Sequence, residues 1–172
     1  MKNKKVSAQD MHCYGEDLLA YVLYKEKGII YENEPILKNL WGKPSLKNYP
    51  NIYFNISHSR DCIVCVVSDR YPVGIDIEKV RAFNIYAAKK VCSTQELKNI
   101  YSKEDPDREF FRYWTLKESY VKAIGKGISY PMKNVNFNIS SEKKLLSNVQ
   151  DCSFMLMDDI DDYITAVCYK NS

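Results

Sequence analysis

The strand-like run Gly74-Ile75-Asp76-Ile77-Glu78 carries two acids that alternate with two isoleucines. A period of two puts both carboxylates on one face and both isoleucines on the other. Adjacent carboxylates repel unless a cation neutralises them, and a hard divalent ion with oxygen ligands is the natural partner. For this pair alone, a solvated strand face with two charges is the simpler account. A second group sits on the longest helical pattern, Arg108 to Ile124, where Phe110, Trp114, Val121 and Ile124 form one apolar stripe that reads as core. Glu118 and Lys122, four apart, share the flank of that stripe. They are either a surface ion pair worth a few tenths of a kcal/mol, or a third carboxylate for a metal with a lysine beside it for a phosphate. Lys117 falls inside the apolar stripe, so it must snorkel or meet a buried anion. Asn55-Ile56-Ser57-His58-Ser59 ends a strand, and His58 is either an ordinary polar turn residue or, between two serines, a phosphate hydrogen-bonding group. Trp41-Gly42-Lys43-Pro44 is a tight turn carrying one cation, a weak signal by itself.

The elements that must position these groups follow from periodicity and turn chemistry. The pattern predicts a helix over Glu16 to Lys25, strands over Ile52 to Ser57 and Cys62 to Ser68 joined by His58 to Asp61, and a strand over Val73 to Glu78. A helix near Asn84 to Val91 comes next, and Ser93 with Glu96 has capping-box spacing for another. Asn33 to Asn51 is the least regular stretch. The chain also repeats itself. Tyr21-Val22 with Lys27-Gly28-Ile29 matches Tyr120-Val121 with Lys126-Gly127-Ile128, each read as a helix end capped by glycine, and Phe54-Asn55-Ile56-Ser57 recurs as Phe137-Asn138-Ile139-Ser140. Each short strand is followed by another, Cys62 to Ser68 and Tyr163 to Tyr169. The expectation is an α+β fold of two similar lobes, 1–71 and 72–172. The first lobe is expected to lack a counterpart of the Val73 to Glu78 strand and so to expose a sheet edge.

Composition narrows the function classes. Of 172 residues, 45% are apolar and 27% charged, an ordinary globular balance, and the net charge of +3 is too weak to argue for nucleic acid as a partner. It is compatible with an acidic ligand or an acidic protein surface. There is no apolar run long enough to cross a bilayer and no signal-peptide pattern at the start. A cytoplasmic protein is expected. Cys62 and Cys65 form a CxxC, but within a strand their side chains point to opposite faces, so the six cysteines read as free thiols.

Taken in order, Trp41-Gly42-Lys43-Pro44, Asn55-Ile56-Ser57-His58-Ser59, Gly74-Ile75-Asp76-Ile77-Glu78 and Trp114-Thr115-Leu116-Lys117-Glu118-Ser119 with Lys122 resemble the surfactin-synthetase-activating type of 4'-phosphopantetheinyl transferase. The similarity runs from about Gly15 to Ser140. The resemblance implies two α+β lobes related by a pseudo-two-fold axis, with coenzyme A in the cleft between them. It implies that Asp76, Glu78 and Glu118 hold Mg²⁺, that Lys122 and Ser57 contact phosphates, and that His58 contacts the 3'-phosphoadenosine part. Lys43 and Pro44 would line the adenine end, and Glu118 would take the proton of a carrier-protein serine. Asp76 and Lys122 would join Glu118 in catalysis. Glu96 corresponds to a further family glutamate near the site, with helix capping as an equal alternative. The family has a first strand and a basic stretch before its first helix, where this sequence offers only a short leader with Lys2, Lys4 and Lys5, and His12 aligns where an arginine is usual. Two alternatives stand beside a transferase: a shortened, non-catalytic member that binds coenzyme A or a carrier protein, and a Mg²⁺-dependent phosphoesterase.

Overall fold

The computed structural model describes residues 7–127, 129–141 and 144–171. Helix α1, Ala8–Lys27, is capped at its start by Ser7 in a reciprocal box with Asp10 and at its end by Gly28. It begins eight residues before the expected Glu16, because Ser7 and Asp10 supply a start signal in a segment expected to be only a short polar leader. Leu19, Leu23 and Ile29 bury against Leu46 and Phe54. Strands β1 (Ile36–Lys38) and β2 (Pro44–Leu46) make a small hairpin in the stretch that looked least regular. Strands β3 (Tyr53–Ser59) and β4 (Cys62–Ser68) pair antiparallel under α1, and His58 and Ser59 continue β3 rather than forming its turn.

Strand β5 (Val73–Lys79) is followed by helices α2 (Ile85–Val91), α3 (Thr94–Tyr101) and α4 (Pro106–Ile124). Asn84 caps α2, Ser93 and Glu96 form the expected capping box on α3, and Asp105 with Pro106 starts α4. After α4 come β6 (Phe137–Ser141), β7 (Lys144–Ser147), β8 (Cys152–Met157) and β9 (Tyr163–Lys170). Strand β9 lies between β5 and β8, antiparallel to both, and α4 lies across β5 and β9. The fold is α+β, with small antiparallel sheets, of which β3–β4 packs on α1 and β5–β9–β8 on α4.

Two details of the internal repeat differ from expectation. Helix α4 is capped by Gly125, two residues before the matched Gly127, although both adopt left-handed φ. Strand β6 pairs with β7 in a separate hairpin, whereas the strands next to β9 are β5 and β8. A four-residue alternation of apolar and polar groups fits any half-buried strand, so the match reports strand character and not position.

Strands β3 and β5 run side by side in the same direction without a shared backbone ladder. Side chains of β3 join them: Asn55 Oδ1 accepts from Ile75 N–H at 2.8 Å, Ser57 Oγ from Ile77 N–H at 3.4 Å, and Ser59 Oγ from Lys79 N–H at 3.1 Å. Alternation on β3 thus aims three polar groups at the strand that carries the acids.

Candidate active site

The β5 acids face α4 because the strand and helix approach closely at Gly74. A Cβ at that position would lie 2.2 Å from the Ser119 carbonyl oxygen and 2.4 Å from the Ala123 nitrogen. The approach brings Asp76, Glu78, Glu118 and Lys122 onto the wall of one cavity of about 280 Å³, with Ile56, Ser57, His58 and Trp114. Asp76 is buried, and its Oδ1 accepts from Lys122 Nζ at 2.6 Å and from Ser57 Oγ at 3.0 Å. Its Oδ2 is buried with no hydrogen-bond partner. Glu78 accepts from Arg81 at 2.8 Å and from Ser59 Oγ at 3.0 Å. Lys122 therefore pairs with Asp76 and not with Glu118 one turn away.

Three acids here meet two cations, Lys122 on Asp76 and Arg81 on Glu78. Burial raises the Asp76 carboxyl to about 6 against the pull of Lys122, with Glu78 adding repulsion. Burial, then the charge of Asp76, raises Glu118 to about 7. Among the described residues, no three His, Cys, Asp or Glu side chains converge closely enough to hold a metal ion between them. The donor set nonetheless fits a hard divalent cation: an orphaned buried carboxylate oxygen, two carboxyls raised by burial and by neighbouring acids, and a third acid on the same cavity wall.

A larger cavity of about 470 Å³ adjoins the first and shares Ile56 and His58 with it. His12, Gly15, Tyr31, Lys38, Gly42, Pro44 and Asn55 are among its lining residues. Exposed His58 stands where the two meet. His12 lies within α1, 3.6 Å from Glu16. Lys2, Lys4 and Lys5 lie outside the described residues.

Three other expected site residues sit differently from the simplest expectation. The Lys43 amine donates to the carbonyls of Val73, Lys122 and Ala123, at 3.0, 2.6 and 2.8 Å, and burial lowers it to about 8. It is thus turned away from the larger cavity that Pro44 lines. The Ser57 hydroxyl is fully used: it donates to Asp76 and accepts from Lys122 and Ile77 N–H. Glu96 is 1% exposed; it accepts from Ser93 N–H and Phe137 N–H and pairs at 2.8 Å with Lys117, itself 0% exposed. Glu96 is the buried anion that Lys117 required, so its place is structural, and it does not line the acid cavity. Lys117 also donates to the Met132 and Val135 carbonyls. Trp114, read as core, is half-buried and forms cavity wall. Asn39, missed in the sequence, carries an Asx-turn signal in Asn39-Leu40-Trp41-Gly42.

Comparison with known proteins identifies the family and the fold. The model of the 4'-phosphopantetheinyl transferase superfamily matches residues 72–168. A 4'-phosphopantetheinyl transferase from Bacillus subtilis is 36% identical over 135 residues, covering 74% of this chain and 59% of the relative. The 4'-phosphopantetheinyl transferase gsp of Aneurinibacillus migulanus is 40% identical over 122 residues, covering 70% and 50%. The structure of holo-[acyl-carrier-protein] synthase from Neisseria meningitidis superposes with a TM-score of 0.51 at 17% identity, over 59% of this chain and 98% of that one, a likeness of fold. The chain belongs to the 4'-phosphopantetheinyl transferase superfamily. It spans between half and three fifths of the length of these two transferases.

Proposed function

We propose that the protein transfers the 4'-phosphopantetheine arm of coenzyme A to a serine of an acyl or peptidyl carrier protein. The observation that carries this reading is the junction of two cavities: one is lined by three carboxylates and Lys122, the other is in the size range of small-molecule sites, and His58 is shared. The nucleotide end would occupy the larger cavity beside Pro44 and His58, with the phosphates next to Lys122. Asp76, Glu78 and Glu118 would hold Mg²⁺, whose chemistry when bound is to neutralise charge on the pyrophosphate oxygens. The serine oxygen attacks the β-phosphorus, a P–O bond breaks, and 3',5'-ADP leaves. Glu118, on the wall of that cavity, takes the serine proton directly or through water. Such base assistance is worth about 10²–10⁴ in rate, and the remainder comes from positioning and charge. Lys122 compensates charge at the phosphate it touches, and Ser57 reaches a phosphate only by giving up one of its present bonds.

The same reading treats 1–71 and 72–172 as lobes. Its support is that the buried cluster of Leu19, Leu23, Ile29, Leu46 and Phe54 is separate from the cluster around Phe110, Leu116 and Ile164. No helix among the described residues is long and apolar enough to cross a membrane, and the cytoplasm is the compartment that would supply coenzyme A and carrier protein together. The test is mass spectrometry of an apo carrier protein after incubation with coenzyme A and Mg²⁺. A gain equal to the arm's mass is expected. Coenzyme A binding without that gain, or release of free phosphate, would overturn the reading in favour of a binding protein or a phosphoesterase.

A further inference from the structure

Carbonyls at the end of α4 and the start of β5 have partners that belong to neither element. The Lys43 amine, in the β1–β2 hairpin, donates to the carbonyls of Val73, Lys122 and Ala123, and the same hairpin places Asn39 Nδ2 2.9 Å from the Gly125 carbonyl. The last carbonyls of a helix lack partners within it, and a cation there also complements the helix dipole. Asn39 shapes the hairpin that delivers both groups: its Oδ1 accepts from Trp41 N–H and Lys43 N–H, each at 2.9 Å. The contact is close, since a Cβ on Gly125 would lie 2.9 Å from both Asn39 Nδ2 and Lys43 Cδ. Lys122 is consequently held at both ends, its carbonyl by Lys43 and its amine by Asp76 and Ser57. Ile36, Lys38, Gly42 and Pro44 of the same hairpin line the larger cavity.

We propose that Lys43 and Asn39 are positioning residues: the hairpin caps α4 from outside and so fixes where Glu118 and Lys122 stand in the acid-lined cavity. The proposal rests on that cavity being the place of transfer, and it gives the Lys43 side chain a different task from contact with adenine. Two variants test it on the whole protein. Lys43→Met keeps the stem and loses the ammonium, while Asn39→Asp keeps the turn acceptor and loses the donor to Gly125. Without ligand, amide exchange at Ala123, Ile124, Gly125 and Lys126 should quicken about tenfold in each variant, as loss of hydrogen bonds at a helix end predicts, while β9 stays unchanged. In kinetics, kcat for carrier modification should fall about tenfold, with the calorimetric Kd for coenzyme A within about threefold of wild type. A weakened Kd with unchanged kcat would make Lys43 a ligand-contacting group and overturn the proposal, as would unchanged exchange at the α4 end. Should Lys43→Met lose protection throughout the chain, Asn39→Asp decides. A wild-type protein that transfers nothing sinks the transferase reading and not the cap, on which the exchange measurement alone then decides.

Discussion

Replacing Gly74 by alanine tests how the acids of β5 and α4 come to share a cavity. The added Cβ would meet the Ser119 oxygen at 2.2 Å, the Ala123 nitrogen at 2.4 Å and the Lys122 carbonyl carbon at 2.9 Å. Reaching ordinary contact at 3.4 Å requires the helix to retreat from the strand by about 1 Å. All three atoms are backbone, so no side-chain rearrangement on α4 relieves the clash. Overpacking of this kind costs about 1–3 kcal/mol, and the rigid neighbours place Gly74→Ala at the upper end, about 3 kcal/mol. At about 2–4 °C per kcal/mol for a chain of this size, Tm should fall by about 6–12 °C. A misplacement of about 1 Å between Asp76 and Glu118 should slow transfer by about 10²-fold. Thermal denaturation and the rate of carrier modification read the two effects. Gly28→Ala is the control: its Cβ would meet nothing within 4 Å, and only its left-handed φ of 65° is strained, so it should cost stability without comparable loss of rate. Wild-type Tm and rate in Gly74→Ala would refute the reasoning, and so would an equal loss of rate in Gly28→Ala.

Lys117→Met should destabilise by about 3–5 kcal/mol because it strands the buried Glu96 carboxylate; adding Glu96→Gln should recover much of that loss in a denaturant double-mutant cycle, and additive effects would refute the pairing. Glu118 and Asp76 have folded-state pKa values raised to about 7 and about 6, so the folded chain keeps protons that the unfolded chain has released, and each group loses stability as pH rises from its ordinary range to its raised value. In chelator-treated protein, the Tm of Glu118→Gln relative to wild type should therefore climb between about pH 4.5 and 7 and level above it; a flat difference would show that Glu118 titrates normally. Hydrogen exchange should be faster at the β3–β4 amides of Tyr53–Ser59 than at Ile164–Tyr169, because β4 is half-buried along its whole length whereas β9 is flanked on both sides; equal protection would show that the β3–β4 sheet needs no further cover.

Period-two and helical patterns were enough to place Asp76, Glu78, Glu118 and Lys122 on the right elements, because strand and helix faces are local properties. The Ser93–Glu96 box was visible, and so was the choice for Lys117 between snorkelling and a buried anion, but that Glu96 both caps α3 and meets Lys117 was not, since the pairing crosses from α3 to α4. Helix α1 was read short because a polar helical turn carries no apolar stripe and its signal lies in the Ser7–Asp10 cap. The hairpin β1–β2, β7 and β8 were missed for a related reason: three to six residues give too few repeats of a period to stand out. The partner of Lys43 was illegible because three of its acceptors are main-chain carbonyls, which every residue has.

The seam between β3 and β5 has a consequence for communication across the molecule. A ladder of main-chain bonds is insensitive to what a ligand does, whereas a seam made of side chains can be borrowed from. Asn55 and Ser59 hold its ends, and the hydroxyl at its middle, Ser57, is also bonded to Asp76 and Lys122. A phosphate can only accept, so it would draw the Ser57 O–H away from Asp76 and leave the Ile77 N–H bond at the centre of the seam in place. Occupancy of the cavity would then be felt at Asp76 on β5 through a side chain of β3, with the seam and the internal register of each sheet left intact.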